Sequence, residues 1–417
     1  MPDSTIHTAA WLINPHVPPV AGGAILVRDG LVAATGTLAE LKSCYPATVI
    51  DHHDCAILPG FVNAHTHLEL THFPSWRLRK HVDYNPRRFS DWIIQLIKIT
   101  RGLQIEDFRI SLIEGMRKCV ESGTTAVGDV ITRYDLLNSY DVPPIRGRIF
   151  FEALGHDPDR FRERLEQALT AADSIHGEYL SPGLSPHTTY TIGEANLPTI
   201  RDAAFSRGLP LAIHISESLA EGNFIFDTSG QLAEELYPFV GWEQYLVPPR
   251  HCSSTELLDR HGLLTPTTLA VHCIHVTLAD AQILKQREVT VCLCPRSNDR
   301  LDVGRAPLAL FRKLGIPLAL GTDSLASNDS LSMWDEMRFA LDVFPHDLSP
   351  SDVFHLATSG GAAALGLSAS LGSLEAGKRA DFQVITHAGG TENGLLERII
   401  GQGRIADVFL GGFSGAE

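Results

Sequence analysis

The sequence has no apolar segment long enough to cross a membrane as a helix. Such a helix needs about 18 or more consecutive, mostly apolar residues, and no run in this 417-residue chain approaches that length. The first residues, MPDSTIHTAAWLINP, also lack the basic start and the long apolar core of a secretory signal. From these two absences we expect a cytoplasmic enzyme that makes no membrane contacts.

Positive charge is also scarce. The chain has 34 Lys and Arg residues against 49 Asp and Glu residues, which gives a formal net charge of -15. The phosphates of nucleic acid and anionic lipid surfaces would repel such a protein, so we expect neither as a partner. The composition, with 44% hydrophobic and 20% charged residues, is typical of a soluble globular protein.

Cysteines are few, and their number is odd. Seven cysteines are scattered through the chain, which does not indicate a disulfide framework. Cys292 and Cys294 lie two residues apart in a strand-like run, so both thiols face the same side of the strand. A metal site built on them would need a second Cys or His pair nearby. We therefore interpret them as buried thiols.

Short apolar runs alternate with helical patterns from about residue 59 to residue 368. Eight runs follow this alternation: FVNAHTH, TTAVGDV, RIFFEAL, GLSPHTT, PLAIHIS, TLAVHCIH, VTVCLCP and PLALGTD. Eight β–α units predict an α/β fold, namely a (β/α)8 TIM barrel in which eight parallel strands form a closed barrel surrounded by helices. The alternative is an open doubly wound sheet, which is weakened because no glycine-rich phosphate fingerprint follows the first run.

The two ends of the chain are short and rich in strand patterns. Residues 1–58 and 369–417 contain β-branched residues and glycine turns, as in GGAILVRDGLVAATG. We predict that these two segments form a small β-sandwich beside a barrel of residues 59–368. Its expected roles are packing and dimer contacts, so a homodimer is one expected assembly.

Histidines and aspartates mark the ends of six of the eight runs. They are His65 with His67, Asp129, His187, His214, His272 with His275, and Asp323. In a closed parallel barrel the active site lies at the carboxyl ends of the strands. We therefore expect these side chains to lie near one another.

Four of these side chains form a candidate metal site. His65 and His67 are two residues apart and face the same side of a strand. A histidine pair alone is weak evidence, but His214 ends the fifth run and Asp323 ends the eighth. Three imidazoles and one carboxylate leave a position open for water, as catalysis requires. The sequence therefore predicts a site for a divalent ion, either Zn²⁺ or Fe²⁺.

The order of the motifs resembles the amidohydrolase superfamily over essentially the whole chain. The matching stretches are LPGFVNAHTH, HISES, AVHCIH, CPRSN, GTDSLASNDSL and GSLEAGKRADFQV. The sequence is most similar to the mononuclear deaminase branch, which includes S-adenosylhomocysteine/methylthioadenosine deaminases and aminodeoxyfutalosine deaminases. Two-metal relatives bridge their ions with a carboxylated lysine, whereas no lysine occurs here between Lys118 and Lys285. The resemblance implies one metal with four ligands, namely His65, His67, His214 and Asp323.

The resemblance also implies roles for residues beside the metal. Glu217, three residues after His214, matches the acid that protonates a ring nitrogen of the substrate; general acid catalysis of this kind typically contributes about 10²–10⁴-fold. His272 would hydrogen-bond the attacking water, with a role as fifth ligand as the alternative. Asp323 would bind metal, accept the proton of the water and pass it to the departing ammonia. His187 would contact the substrate.

Further residues are predicted to line the pocket. Ser297 and Asn298, in CPRSN, lie near the end of the seventh run. The stretch ELTHFPSWRLRKHVDYNPRRFSDW combines arginines with aromatic residues. It predicts either a solvated basic loop or a lid that holds an aromatic, negatively charged part of the substrate. From this stretch we predict Arg77, Arg88 and Glu69 as substrate-binding residues, with a surface ion pair as the alternative for Glu69.

The function implied by the resemblance is the hydrolytic deamination of an amino-purine nucleoside with release of ammonia. The basic, aromatic stretch favours 6-aminodeoxyfutalosine, a menaquinone-pathway compound, because this nucleoside carries a carboxyphenyl group. The alternatives are adenosine, S-adenosylhomocysteine, methylthioadenosine, guanine or a triazine. Two other classes of protein are disfavoured. A metal-free scaffold protein is disfavoured because all four ligand positions are filled, and a two-lobed binding protein is disfavoured because histidines lie at the strand ends.

Overall fold

The computed structural model describes residues 4–140, 145–177, 179–386 and 388–414. Its strands are β1 Ser4–Thr8, β2 Trp11–Leu12, β3 Val20–Ala21, β4 Gly23–Arg28, β5 Leu31–Thr37, β6 Thr48–Asp51, β7 Ala56–Pro59, β8 Phe61–Thr66, β9 Thr124–Ile131, β10 Arg146–Glu152, β11 Leu180–Thr188, β12 Leu211–Ile215, β13 Thr268–His272, β14 Thr290–Leu293, β15 Leu318–Leu320, β16 Phe382–Ile385, β17 Ile405–Leu410 and β18 Phe413–Ser414. Its helices are α1 Leu38–Cys44, α2 Phe73–Arg79, α3 Phe89–Thr100, α4 Ile105–Glu121, α5 Pro158–Asp173, α6 Leu197–Arg207, α7 Leu219–Asp227, α8 Tyr237–Val240, α9 Ser254–Arg260, α10 Leu278–Gln286, α11 Pro295–Leu301, α12 Leu308–Leu314, α13 Met333–Val343, α14 Pro350–His355, α15 Gly361–Ala364 and α16 Leu395–Gln402.

Strands β8 to β15 form a parallel barrel in which each strand pairs with the next one along the chain. The first and last strands meet at a parallel bridge between Thr66 and Asp323. Nearby, the Asn63 side chain donates to Thr322 Oγ1 (2.7 Å) and accepts from the Thr322 backbone N–H (3.0 Å). The predicted (β/α)8 barrel is confirmed, and each of the eight apolar runs overlaps one barrel strand.

The barrel strands are covered on both faces, which explains why their runs are apolar without alternation. All eight residues of β9 are buried. A Cβ atom on Gly128 of β9 would lie 2.3 Å from the Ala64 carbonyl oxygen of β8, so only glycine allows the two strands this approach. Ala362 of α15 and Leu365, which directly follows that helix, add apolar side chains to the interior cluster. A ligand must therefore bind beyond the strand ends rather than inside the barrel.

Two smaller sheets are built from both ends of the chain. One has the strand order β5-β4-β1-β6, and the other has the order β18-β17-β16-β7-β2-β3. The second sheet joins the termini because β16 pairs antiparallel with β7. Ile25, Val27, Phe382 and Phe409 belong to one apolar cluster formed by the two sheets. The predicted terminal β-sandwich is thus confirmed as part of the fold, while its exact boundaries and its dimer role stay predictions.

The helices begin and end at residues that satisfy free backbone groups. The side chain of Asp157 caps α5, and Pro158 occupies the first turn. Thr277 and Asp280 form a capping box at the start of α10. Gly208 ends α6 in a left-handed conformation with φ 63°. Within the described ranges, no helix is both long and apolar enough to span a bilayer.

The connection from β8 to β9, predicted to be a lid or a solvated loop, contains helices α2, α3 and α4. The Trp92 indole N–H on α3 donates to the Ala326 carbonyl oxygen (3.0 Å), which ties α3 to the loop after β15. Ser90 Oγ donates to Glu235 Oε2 (2.7 Å) in the segment before α8. These bonds hold α3 as a fixed wall above the carboxyl ends of the barrel strands.

Candidate metal centre and substrate cavity

Three imidazole nitrogens converge at the carboxyl ends of β8 and β12. His214 Nε2 lies 3.2 Å from His65 Nε2 and 3.4 Å from His67 Nε2. Ligand atoms about 2.0–2.1 Å from one tetrahedral ion lie about 3.3–3.4 Å apart, so these separations fit a shared metal. Burial, followed by the nearby His65, lowers the pKa of His67 to about 3, which leaves a neutral ring with a free lone pair.

Asp323 places a fourth possible ligand atom beside these nitrogens. Its Oδ1 lies 3.7 Å from the Nε2 atoms of both His65 and His67. Its other oxygen, Oδ2, accepts hydrogen bonds from Ser297 Oγ and Ser327 Oγ, each 2.7 Å long. Two hydroxyl donors on Oδ2 turn Oδ1 toward the imidazoles. Three nitrogens and one oxygen suit a divalent metal ion. The ligand atoms of His65, His67 and Asp323 lie within 4.8 Å of one another, as do those of His65, His214 and His272.

Histidine 214 is oriented by a backbone group on its far side. Its Nδ1–H donates to the His187 carbonyl oxygen (3.1 Å), which directs the Nε2 lone pair toward the other donors. Metal-binding histidines commonly use their second nitrogen in this way. The bond also links the end of β11 to the metal centre.

His272 and Glu217 face the donors from the neighbouring strand ends. The Nδ1–H of His272 donates to Asn298 Oδ1 (2.9 Å), so Nε2 remains an acceptor. Among the described residues that buried Nε2 has no hydrogen-bond partner, and Glu217 Oε1 lies 3.6 Å away. Burial, followed by the charges of Asp323 and Glu221, raises the pKa of Glu217 well above its usual value, which favours the protonated acid.

Several residues at these strand ends have a backbone conformation that is costly for residues other than glycine. The φ angles are 64° at His187, 70° at His272 and 56° at Asp323. A left-handed conformation at such residues typically costs about 1–3 kcal/mol and persists where surrounding structure enforces it. Three of them at the ends of β11, β13 and β15 mark this rim of the barrel as the functional one.

A cavity of about 430 Å³ opens directly above the donor set. One side is apolar and is formed mainly by α3 together with residues near α8. The other side is polar and is formed by the ends of the barrel strands. The lining residues include Trp92, Ile93, Leu96, Ile97, Arg101, Leu236, Val240 and Trp242 on the first side, and His67, Glu69, Thr132, Arg133, Glu152, His187, His214, Glu217 and Asp323 on the second.

Glu69 and His187 lie in the cavity wall, where the sequence predicted pocket residues. Glu69 is buried and accepts from the Thr132 backbone N–H (3.3 Å), the Thr132 hydroxyl and Arg133 Nη1 (3.1 Å). Its partner is thus Arg133 rather than an arginine of the first connection. His187 Nδ1 is 2.8 Å from Thr191 Oγ1, and burial lowers the pKa of this histidine to about 4.

Four predicted substrate contacts differ from their expected positions. Ser297 and Asn298 lie behind the site, where they hold Asp323 and His272, because α11 begins directly at the end of β14. Arg77 pairs with Asp83, and Arg88 pairs with Glu235, in both cases outside the cavity lining. The lid helices turn both guanidinium groups away from the cavity.

Two residues left open by the sequence have structural partners. His275 Nε2 lies 2.7 Å from the Val303 carbonyl oxygen, so this ring holds a loop. Asp129 is fully buried and accepts hydrogen bonds from the Leu68 backbone N–H (2.9 Å) and from the Tyr140 hydroxyl. It therefore fixes the chain just after His67 instead of ending a simple turn.

The sequence reading missed Arg133, Glu152 and Arg101 as cavity residues. Glu152 lies within the third run, RIFFEAL, and ends strand β10, at the position where a barrel places functional groups. The position of Glu152 at a strand end could have identified it, but only histidines and aspartates were considered at the run ends. Arg133 and Arg101 follow β9 and α3, and their direction depends on loop geometry that the sequence does not reveal.

A barrel with three histidines and one carboxylate at its strand ends defines a class of metal-dependent hydrolases. The chain belongs to the amidohydrolase family, whose sequence model matches residues 56–413. A shorter match, to an imidazolonepropionase-like composite domain of bacteria, covers residues 23–47. The protein is a hydrolase that acts on carbon–nitrogen bonds.

Three similar proteins illustrate the range within the family. A 5-methylthioadenosine/S-adenosylhomocysteine deaminase of Nitratidesulfovibrio vulgaris is 32% identical and aligns with 92% of this chain and 83% of its own. An aminodeoxyfutalosine deaminase of Deinococcus radiodurans is 28% identical, with 83% and 81% covered. The crystal structure of an adenosine deaminase from Xanthomonas campestris with bound zinc shares the fold, with TM-score 0.79, 23% identity and coverage of 99% and 93%.

The two serine hydroxyls on Asp323 give a first testable prediction. Removing both, in the Ser297→Ala/Ser327→Ala variant, is expected to weaken metal binding by about 10–100-fold, because the carboxylate loses the donors that orient it. Competition with a chromogenic chelator measures this affinity. Ser330→Ala is the matched control, since Ser330 lies on the same loop as Ser327 but its Oγ donates to Asp335 of α13 (2.6 Å). Equal affinities in the double variant and the wild type would contradict the orienting role.

Proposed function

We propose that this protein is a metal-dependent hydrolytic deaminase that removes the amino group of an amino-purine nucleoside as ammonia. The observation that carries the proposal is the position of Glu217. This buried acid lines the same cavity of about 430 Å³ as three of the four proposed donors, His67, His214 and Asp323. Deamination of an aromatic ring needs both a proton donor for the ring and an activated water, and this arrangement provides a site for each.

The proposed metal is Zn²⁺, with Fe²⁺ as the alternative, held by His65, His67, His214 and Asp323. When bound, such an ion lowers the pKa of water from 15.7 to about 7 and so supplies a nucleophile at neutral pH. The bound zinc of the Xanthomonas campestris structure supports this choice. Cavity walls formed by Trp92 and Leu96 help to exclude other water from the reacting ring.

The side chains divide the proton transfers among them. Glu217 donates its carboxyl proton to a ring nitrogen, which activates the adjacent carbon for attack. His272 Nε2, whose ring is held by Asn298, accepts a hydrogen bond from the attacking water and orients it. The carboxylate of Asp323 accepts the proton of the water and passes it to the departing ammonia.

Within this class we propose 6-aminodeoxyfutalosine as the substrate. The apolar wall of α3 suits an aromatic arm, and Arg101 lies where that wall ends. The Arg101 and Lys98 side chains both lie against the Phe239 ring. No carboxylate within the described ranges pairs with either cation. An aromatic carboxylate complements this combination, and the Deinococcus radiodurans relative carries the matching name.

The other candidate substrates are methylthioadenosine, S-adenosylhomocysteine, adenosine, guanine and a triazine. The Nitratidesulfovibrio vulgaris relative supports the first two. Ammonia release by the metal-loaded protein, measured for all six compounds, tests the proposal. We expect the highest kcat/KM for 6-aminodeoxyfutalosine. If the protein deaminates none of the nucleosides, the proposed function is wrong. If it prefers another of the nucleosides, only the assignment of 6-aminodeoxyfutalosine as the substrate is wrong.

Arg101 allows a prediction specific to the anionic arm. The Arg101→Gln variant is expected to raise KM for 6-aminodeoxyfutalosine about 10–100-fold, because a charge-assisted hydrogen bond typically contributes about 1.5–3 kcal/mol. For methylthioadenosine, whose arm is neutral, KM should stay within about twofold. Arg77→Gln is the control, since Arg77 lies outside the cavity lining. Equal changes for both substrates would contradict a contact between Arg101 and the carboxylate.

A further inference from the structure

Glu152 is a buried carboxyl group that the reaction described above does not use. It ends β10, is 4% exposed and lines the cavity. Among the described residues, no side chain or backbone group donates a hydrogen bond to its carboxylate, and no cation forms an ion pair with it. A buried polar group without a partner is costly, so a group that enters the cavity is expected to satisfy it.

The strand order fixes where this free acceptor stands. Strand β10 lies between β9 and β11, so Glu152 lies between the Thr132–Arg133 segment on one side and His187 on the other. The three donor imidazoles and Glu217 lie at the ends of β8 and β12, on either side of this arc, and Asp323 follows β15 next to β8. A substrate whose ring reacts at the metal therefore reaches Glu152 with the part attached to that ring.

Neighbouring charges favour a neutral donor over a cationic one. Arg133 is paired with Glu69 and lies over the Phe108 ring. Arg164 donates to the Thr132 carbonyl oxygen. Burial raises the pKa of Glu152 to about 7, while the positive charges of Arg164 and Arg133 act in the opposite direction. Two guanidinium groups beside the acceptor would repel a substrate ammonium, whereas they tolerate a hydroxyl group.

We propose that Glu152 determines specificity by accepting hydrogen bonds from sugar hydroxyl groups of the substrate. This inference rests on the proposed function, because it takes the reacting compound to be a nucleoside. A carboxylate is an acceptor with two oxygens, and O–H donors form short, strong bonds to it. A site built to bind a hydroxyl group rejects analogues without it, because the buried acceptor is then left unpaired.

The test compares adenosine with 2′,3′-dideoxyadenosine in the wild type and in Glu152→Ala and Glu152→Gln variants. The wild type is expected to prefer adenosine in kcat/KM by about 10³-fold or more, approaching the about 10⁴–10⁵-fold preference of sites built to bind a substrate hydroxyl group. In Glu152→Ala this ratio is expected to fall below about tenfold. Glu152→Gln, which keeps one acceptor oxygen, should recover part of it. The 2′-deoxy and 3′-deoxy nucleosides identify which hydroxyl group is bound.

Controls separate this role from a structural one. Metal content and Tm are measured for each variant, and Glu166→Gln on the outer face of α5 serves as a matched carboxylate change. An unchanged preference in Glu152→Ala overturns the inference. So does an equal loss for both substrates, since that result indicates a structural role.

Calorimetric binding separates failure of this inference from failure of the proposed function. If the wild type releases no ammonia from any nucleoside, the proposed function fails. The hydroxyl preference is then read from the affinities of adenosine and its dideoxy analogue for the wild type and Glu152→Ala. Equal affinities of the two compounds for the wild type overturn the inference as well.

Discussion

The Glu217→Gln variant is expected to lose about 10²–10⁴-fold in kcat, which is the usual contribution of a general acid. Glutamine has nearly the same shape, and the Glu217 backbone N–H still donates to Glu221 Oε2 (2.9 Å), so the local fold is retained. An amide, however, has no acidic proton to give to the ring nitrogen. Steady-state ammonia release on the preferred nucleoside measures the loss, while KM should change by less than about threefold if the group acts mainly in the transition state.

The pH dependence provides a second readout of the same variant. Burial raises the pKa of Glu217, and only the protonated carboxyl group can donate. The kcat/KM of the wild type should therefore be highest below this raised pKa and fall as the pH rises through it. Glu217→Gln should lack that alkaline limb. The control is Glu163→Gln, a change at an exposed carboxylate of α5, which should leave both the rate and the alkaline decrease in kcat/KM unchanged. If Glu217→Gln keeps the pH profile of the wild type, Glu217 is not the general acid.

The sequence was most informative where a fixed period connects it to geometry. The two-residue repeat of a strand brings His65 and His67 to one face, and the barrel rule brings His214 and Asp323 to the same rim. These four positions could be predicted because each depends only on its own strand. The convergence of their donor atoms follows from the strand order, which places all four residues at the same end of one closed barrel.

Loop and helix-start residues could not be predicted in the same way. Arg77 and Arg88 belong to the first connection, whose helices turn their side chains toward Asp83 and Glu235. The direction of such a side chain depends on where a helix starts and how that helix packs. The amino-acid composition of the stretch reveals neither the start nor the packing. Ser297 was correctly taken to lie near the site, yet it contacts Asp323 because it is in the first turn of α11.

Metal binding should depend on each of the converging imidazoles, so the His67→Gln variant is expected to lose nearly all bound metal. Its Nε2 is one of four donor atoms, and a site left with three ligands binds zinc far more weakly. Without the ion no nucleophile forms at neutral pH, so activity should fall by about 10⁴-fold or more. Metal analysis after dialysis should give about one equivalent per chain in the wild type and less than about 0.1 in the variant.

Thermal unfolding distinguishes this loss from simple misfolding. A ligand that binds only the folded state, present at about 1,000 times its Kd, stabilises it by about 4 kcal/mol. A chelator should therefore lower the Tm of the wild type but leave the Tm of His67→Gln unchanged. His72→Gln is the matched control, because His72 lies on the same segment and packs near Trp76, outside the donor set. A His67→Gln protein that keeps one equivalent of metal would show that the ion, if any, is held by another set of residues.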